Sequence, residues 1–167
     1  MAKHTLYIMC GPAGCGKSTF LNNCATKISE GCAIVSRDEI RFNMLKDDMS
    51  YFAKEKEVFA KFTATIASEL QYADVFADST CINETSRKKL ITAVKKLNKN
   101  FDMVALYFYN DNILDRCLTQ NARRSGRARV PDEAIINMCA NFTIPKKSEG
   151  FKYVINVLED DIYKRYC

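Results

Sequence analysis

At 167 residues with 47% apolar and 27% charged content, the chain is long enough to bury a core of its own and too apolar to be intrinsically disordered. No apolar run approaches the roughly 18 residues of a membrane-spanning helix, so no membrane partner is expected. The net charge of +5 is local rather than diffuse: Arg123, Arg124, Arg127 and Arg129 fall within residues 120–131 without a single acid, which predicts an anionic ligand such as a nucleotide or a nucleic-acid backbone.

In chain order, short β-rich runs at 5–10, 33–36, 74–77, 103–109 and 152–157 alternate with longer segments of helical period. That alternation predicts an α/β fold, with a parallel central sheet of about five strands covered on both faces as an αβα sandwich. No linker, repeat or low-complexity tract interrupts it, so residues 1–167 read as a single domain. Between residues 51 and 72, Phe59, Phe62, Ile66 and Leu70 recur at spacings of three and four among lysines and glutamates, which predicts an amphipathic helix with a core-facing stripe. Cys10, Cys15, Cys24, Cys32, Cys81, Cys117, Cys139 and Cys167 form no CxxC pair, and His4 is the only histidine, so no zinc site is expected. The apolar run at 5–10 is too short for a signal peptide, which predicts a cytoplasmic protein whose cysteines are buried, reduced thiols.

The first strand runs straight into Gly-Pro-Ala-Gly-Cys-Gly-Lys-Ser, residues 11–18, which satisfies GxxxxGK(S/T) at every fixed position and precedes a helix-period segment through Phe20, Leu21, Cys24 and Ile28. Gly11, Gly14 and Gly16 let the backbone around Cys15 coil so that successive N–H groups converge on one anion, and the helix N-terminus adds partial positive charge. Lys17 is placed to reach the β and γ phosphates of ATP, Ser18 to offer its hydroxyl to Mg²⁺, and Thr19 to touch the α phosphate. Guanine-switch signals are missing: residues 98–102 read NKNFD rather than NKxD, and Asp78 is not followed by the glycine of DxxG.

In a parallel sheet every strand ends on the same edge, where ligands bind, and two acids are predicted there. Asp38 follows the second strand, within reach of the γ phosphate, and suits a general base toward an acceptor hydroxyl; it is also suited to cap a helix from Glu39 to Leu45. Arg41, three residues on, faces the same way and could grip an anionic group of the acceptor. Asp78, at the end of the third strand, is fit to hold a metal or its water, or to orient Arg41 or the acceptor. The arginine run at about 120–131 is placed as a lid that closes over the γ phosphate and excludes water, with Gly126 giving it room to fold.

Taken together, residues 11–18, the string Arg37-Asp38-Glu39-Ile40-Arg41 (an RDxxR pattern), Val75 to Thr80, and Asn121-Ala122-Arg123-Arg124 leading to Val130-Pro131 resemble the polynucleotide kinase branch of P-loop kinases over nearly the whole chain. The resemblance implies a 5'-hydroxyl kinase acting on a DNA or RNA end with ATP and Mg²⁺. In that scheme Lys17 and Ser18 act on ATP·Mg²⁺, Asp38 is the base, Arg41 holds the acceptor's neighbouring 3'-phosphate, and Arg124 is the lid arginine, with Arg127 placed to share its duty. Gln120 and Cys81 depart from the pattern, which has arginine and asparagine at those positions. Related folds phosphorylate gluconate, antibiotics or nucleotide sugars, so a small-molecule kinase acting on a sugar, nucleoside or antibiotic hydroxyl is the alternative.

Overall fold

Strand β1 (His4–Cys10) is flanked on both sides, by β3 (Val75–Asp78) and β4 (Phe101–Tyr107), and the outer strands β2 (Ala33–Ser36) and β5 (Tyr153–Asn156) complete the sheet. The order is β2-β3-β1-β4-β5 and every pairing is parallel, in a computed structural model that describes residues 3–161. All five predicted strands are present. β3 starts at Val75, one residue later than predicted; Asp74, just before it, accepts from Thr5 N at 2.8 Å and Ser29 Oγ at 3.0 Å through its carboxylate. β4 starts earlier, at Phe101, because the full length of β1 pairs with it from His4 onward.

Helices α1 (Lys17–Ile28), α5 (Ile113–Ala122) and α6 (Asp132–Ala140) cover one face, and α2 (Arg37–Met44), α3 (Glu55–Glu69) and α4 (Glu84–Leu97) cover the other. Phe20, Leu21 and Ile113 pack with Met9, Phe76 and Leu106 in the first layer, while Phe62, Ile66, Leu90 and Val94 pack with Leu6, Ile8 and Ala105 in the second. Each of these buried side chains contributes about 2 kcal/mol. Within α3, Phe62 and Ile66 meet the sheet as predicted, but Phe59 does not: it is half-buried, with Arg37 and Lys89 against its ring. Six cysteines are free thiols, five of them buried; Cys24 departs from the expectation and is disulfide-bonded, and Cys167 lies outside the described residues. Among the described residues no helix is long and apolar enough to cross a membrane.

One buried ion pair fastens the segment after α6 to the site-facing edge. Arg87 of α4, fully buried, donates Nε and Nη2 to the two carboxylate oxygens of Glu149 at 2.7 and 2.9 Å, and Nη1 to the Thr143 carbonyl at 2.9 Å. Thr143 N in turn donates to Ile82 O at 2.9 Å. Burial alone would raise the Glu149 carboxyl, but the bonds from Arg87 and from the Lys146 N–H win and hold it below its ordinary 4.5. A carboxyl lowered on folding contributes stability that is complete above its ordinary value and is lost as pH falls through the lowered one. Urea unfolding across pH should therefore show stability falling below pH 4.5. Glu149→Gln should flatten that decline, and Glu149→Ala should cost about 3–5 kcal/mol at neutral pH because it strands a buried guanidinium.

Candidate active site

The phosphate cradle forms because the turn after β1 needs backbone that only glycine supplies. Gly14 has φ +83°, and a Cβ there would lie 2.7 Å from the Cys117 carbonyl oxygen of α5; Gly16, with φ +110°, is the left-handed residue that starts α1. No side chain caps α1, so its leading N–H groups are left for an anion. Lys17 is buried and folds over the turn, donating Nζ to the Gly11 carbonyl at 2.8 Å and the Pro12 carbonyl at 2.9 Å. Ser18 and Thr19 are exposed on the first turn of the same helix. Two bonds brace the cradle from outside: Gly11 N to Thr80 O at 2.8 Å, and Arg116 Nε of α5 to Cys15 O at 3.0 Å. Nothing in the motif points to Arg116, which stands in a helix far along the chain.

On the acceptor side, β2 ends at Ser36, level with Asp78 at the end of β3. Asp38 is not the cap of the next helix. Ser36 is, its Oγ accepting from Glu39 N at 3.3 Å, which places Asp38 inside α2 with its carboxylate 62% exposed. Arg41, one turn on, donates Nη1 to Asp38 Oδ1 and, at 2.7 Å, to the Tyr51 hydroxyl; Tyr51 passes its own proton to the same Asp38 oxygen at 2.6 Å. Burial first, then the bond to Asp38, push the Tyr51 hydroxyl well above its ordinary 10, so it remains a donor. The other end of the Arg41 guanidinium donates Nη2 to Glu55 at 2.6 Å, and Arg37 bonds the second Glu55 oxygen. Burial would raise Glu55, but Arg41 and Arg37 together hold it below 4.5 and ionised. Arg41 is thus 4% exposed and faces Asp38, Tyr51 and Glu55 rather than open solvent. The expected grip on an acceptor phosphate would require displacing one of them.

Asp78 lies between the two halves. Burial raises its carboxyl, Lys17 pulls it down, Asp38 raises it and Arg124 lowers it, so the fields of all three charges reach Asp78. The lid is shorter than expected: α5 extends through Ala122, leaving residues 123–131, with a 3-10 turn at Gly126–Ala128. Its two ends are stapled by the buried Asn121, whose amide donates to Val130 O at 2.6 Å and Asp132 Oδ1 at 3.0 Å and whose oxygen accepts from Val130 N at 3.0 Å. Arg124 is half-buried, whereas Arg127 points away to Asp47 at 3.3 Å, in the loop after α2, and so ties the lid to the acceptor side. Tyr51, Glu55 and Arg116 are residues around the site that sequence reading missed, and Asn121, part of the motif leading to Val130-Pro131, was given no role there.

A phosphate cradle at the end of the central parallel strand, a carboxylate at the end of β3, another in the first turn of α2 and an arginine-bearing loop after α5 mark a P-loop kinase domain. Residues 6–145 match the model of an AAA domain family, AAA_33, and the chain belongs to that family. Three solved structures illustrate the fold. A chain of the Pnkp1/Rnl/Hen1 RNA repair complex superposes with a TM-score of 0.67 at 21% identity over 84% of this chain and 44% of that one, so the present chain spans less than half of that protein's length. A fungal RNA kinase superposes at 0.63 and 15% identity over 93% of this chain and 76% of that one. A gluconokinase from Sinorhizobium meliloti superposes at 0.55 and 15% identity over 98% and 88%.

The Asn121 staple has a direct test. Asn121→Ala should cost about 1–3 kcal/mol, since it leaves buried backbone groups of Val130 unpaired. Limited trypsin digestion should then nick the 123–131 loop faster than in the unsubstituted protein; equal nicking rates would contradict the staple.

Proposed function

We propose that this domain is an ATP-dependent polynucleotide 5'-hydroxyl kinase that moves the γ phosphate of ATP to the 5'-OH of a DNA or RNA end. The observation that carries the reading is the exposed Asp38 carboxylate, fixed by Arg41 and Tyr51 beside an aromatic surface. Phe52, 70% exposed, meets Tyr51 edge-on with centroids 4.8 Å apart, and offers a face on which the acceptor's first base can stack.

In the proposed reaction the acceptor's 5'-oxygen attacks the γ phosphorus while Asp38 takes the hydroxyl proton, and the bond from the γ phosphorus to the bridging oxygen of ADP breaks. Lys17 holds the phosphates through the transfer, and Arg124 stabilises the charge on the moving group. Gly11, Gly14, Cys15, Gly16, Ser18 and Thr19 line the ATP-phosphate cradle. Ser18 and Asp78 present hard oxygen donors that suit Mg²⁺, an ion that keeps most of its coordination for phosphates and water and, when bound, neutralises phosphate charge. Arg41 acts here as a positioning residue for Asp38 rather than as a phosphate ligand.

Labelled ATP offered with 5'-OH oligonucleotides should place label at the 5' end; label moving only to gluconate, nucleosides or an aminoglycoside would favour the small-molecule alternative and overturn the proposal. Asp38→Ala should lower turnover on the order of 10²-fold or more with ATP binding retained, and Arg124→Ala on the order of 10³-fold. Arg41→Ala should impair acceptors with and without a 3'-phosphate equally, because its effect passes through Asp38. A loss confined to 3'-phosphorylated acceptors would restore the phosphate-gripping role.

A further inference from the structure

The parallel helices α3 and α4 leave a shallow, open groove of about 710 Å³ between them, with a largely apolar floor and a rim of lysines. Thr85, Lys88, Lys89, Thr92 and Lys96 of α4 line one side at helical spacings of three and four, with Ala93 and Leu97 among them; Phe59, Ala60 and Thr63 of α3 line the other, and no carboxylate lines it. All three lysines are exposed. From Thr85 to Lys96 the α4 wall runs for roughly 16 Å at 1.5 Å per residue. The groove also has a direction. α4 starts just past the C-terminal end of β3, on the edge that carries Asp78, so Thr85 lies at the site end and Lys96 at the far end. Phe59 marks the mouth, with the Lys89 ammonium 4.6 Å from its ring centroid and the Arg37 guanidinium 5.2 Å away. Arg37 shares Glu55 with Arg41, which bonds Asp38, so the mouth is joined to the proposed base through three side chains.

A solvated helix face gains from alternating charge, and α4 declines it: after Glu84 it carries only cations on its charged positions, and Arg87 alone among them is neutralised by burial against Glu149. Beyond Lys96, Lys95 and Lys99 line a second depression at the opposite edge of the sheet, continuing the positive surface. Resting on the acceptor reading above, we propose that this groove is the track for the single strand behind the acceptor's 5' end, with Lys88, Lys89 and Lys96 pairing successive phosphates of DNA or RNA. An acceptor would then be held at two places: its first nucleotide against Phe52 and Asp38, and the following backbone along α4. Such a site gives length dependence without base specificity, because its contacts are to phosphate.

The test uses the full chain with Lys88, Lys89 and Lys96 replaced together by alanine, its thermal midpoint checked against the unsubstituted protein. Should that variant not fold, Lys88→Glu with Lys96→Glu serves, since neither touches Phe59. Binding is read by fluorescence anisotropy with a labelled oligonucleotide already phosphorylated at its 5' end, in separate DNA and RNA arms, and with a dinucleotide. The substitutions should weaken oligonucleotide binding on the order of tenfold at low salt and reduce the slope of log affinity against log salt by about 2, as expected when the counterions of three single-strand phosphates are no longer released on binding. Dinucleotide binding should be unchanged. Oligonucleotide affinity indifferent to the lysines, dinucleotide affinity falling equally, or displacement of the strand by polyglutamate of equal charge would each overturn the track. Label transfer from ATP to the dinucleotide reads the acceptor proposal separately: its absence alongside lysine-dependent strand binding would sink that proposal and leave the track standing.

Discussion

One carboxylate, Glu55, shared between two arginines a helical turn apart, sets the acceptor half of this molecule. Arg37 and Arg41 occupy positions i and i+4 of α2, so their guanidinium groups emerge from the same face and would repel one another without a partner. Glu55, the first residue of α3, offers one oxygen to each. The bond fixes where α3 begins, holds α2 against it, and turns the free edge of Arg41 toward Asp38 and Tyr51. The Nε atoms of both arginines have no hydrogen-bond partner among the described residues, so the guanidinium groups are held through their Nη atoms.

The donor half is assembled by different means. There the backbone does the work: left-handed glycines, the uncapped start of α1, and a lysine that binds carbonyls of its own turn. The parallel sheet brings the halves together, since the register of β2 with β3 and of β3 with β1 sets Ser36, Asp78 and the cradle on one edge. The lid joins them from above, stapled at its base by Asn121 and tied across to Asp47 by Arg127. That surface ion pair is solvent-exposed at both ends and contributes little.

What could be read from the sequence follows from how local each signal is. The cradle was legible to the residue because its geometry is encoded in consecutive positions, and the strands were legible because a buried parallel strand is a continuous apolar run. That Asp38 and Arg41 share one face of α2 also followed from helical spacing, whereas the bond between them did not. Asp38 was misjudged as a possible cap because Ser36, two residues earlier, competes for the same role and belongs to a strand by its pattern. Tyr51 and Glu55 were missed for another reason: they come from the segment after α2 and act through tertiary contacts that no periodicity records. Phe59 was read as core because it falls on the apolar stripe of α3, yet the cations on either side claim it. Arg41 was assigned to an anionic group of the acceptor from its spacing, its charge and the family resemblance; its burial against Asp38, Tyr51 and Glu55 is a tertiary feature that none of these signals records.

The account stands on the claim that Glu55 and Arg41 act by holding Asp38 opposite the γ phosphate. A double-mutant cycle on turnover, combining Glu55→Gln with Asp38→Asn, measures this directly. Glu55→Gln should slow phosphoryl transfer in the unsubstituted protein and have no further effect once Asp38 is asparagine. Losses that simply multiply in the double variant would show that the two carboxylates act independently and would contradict the account.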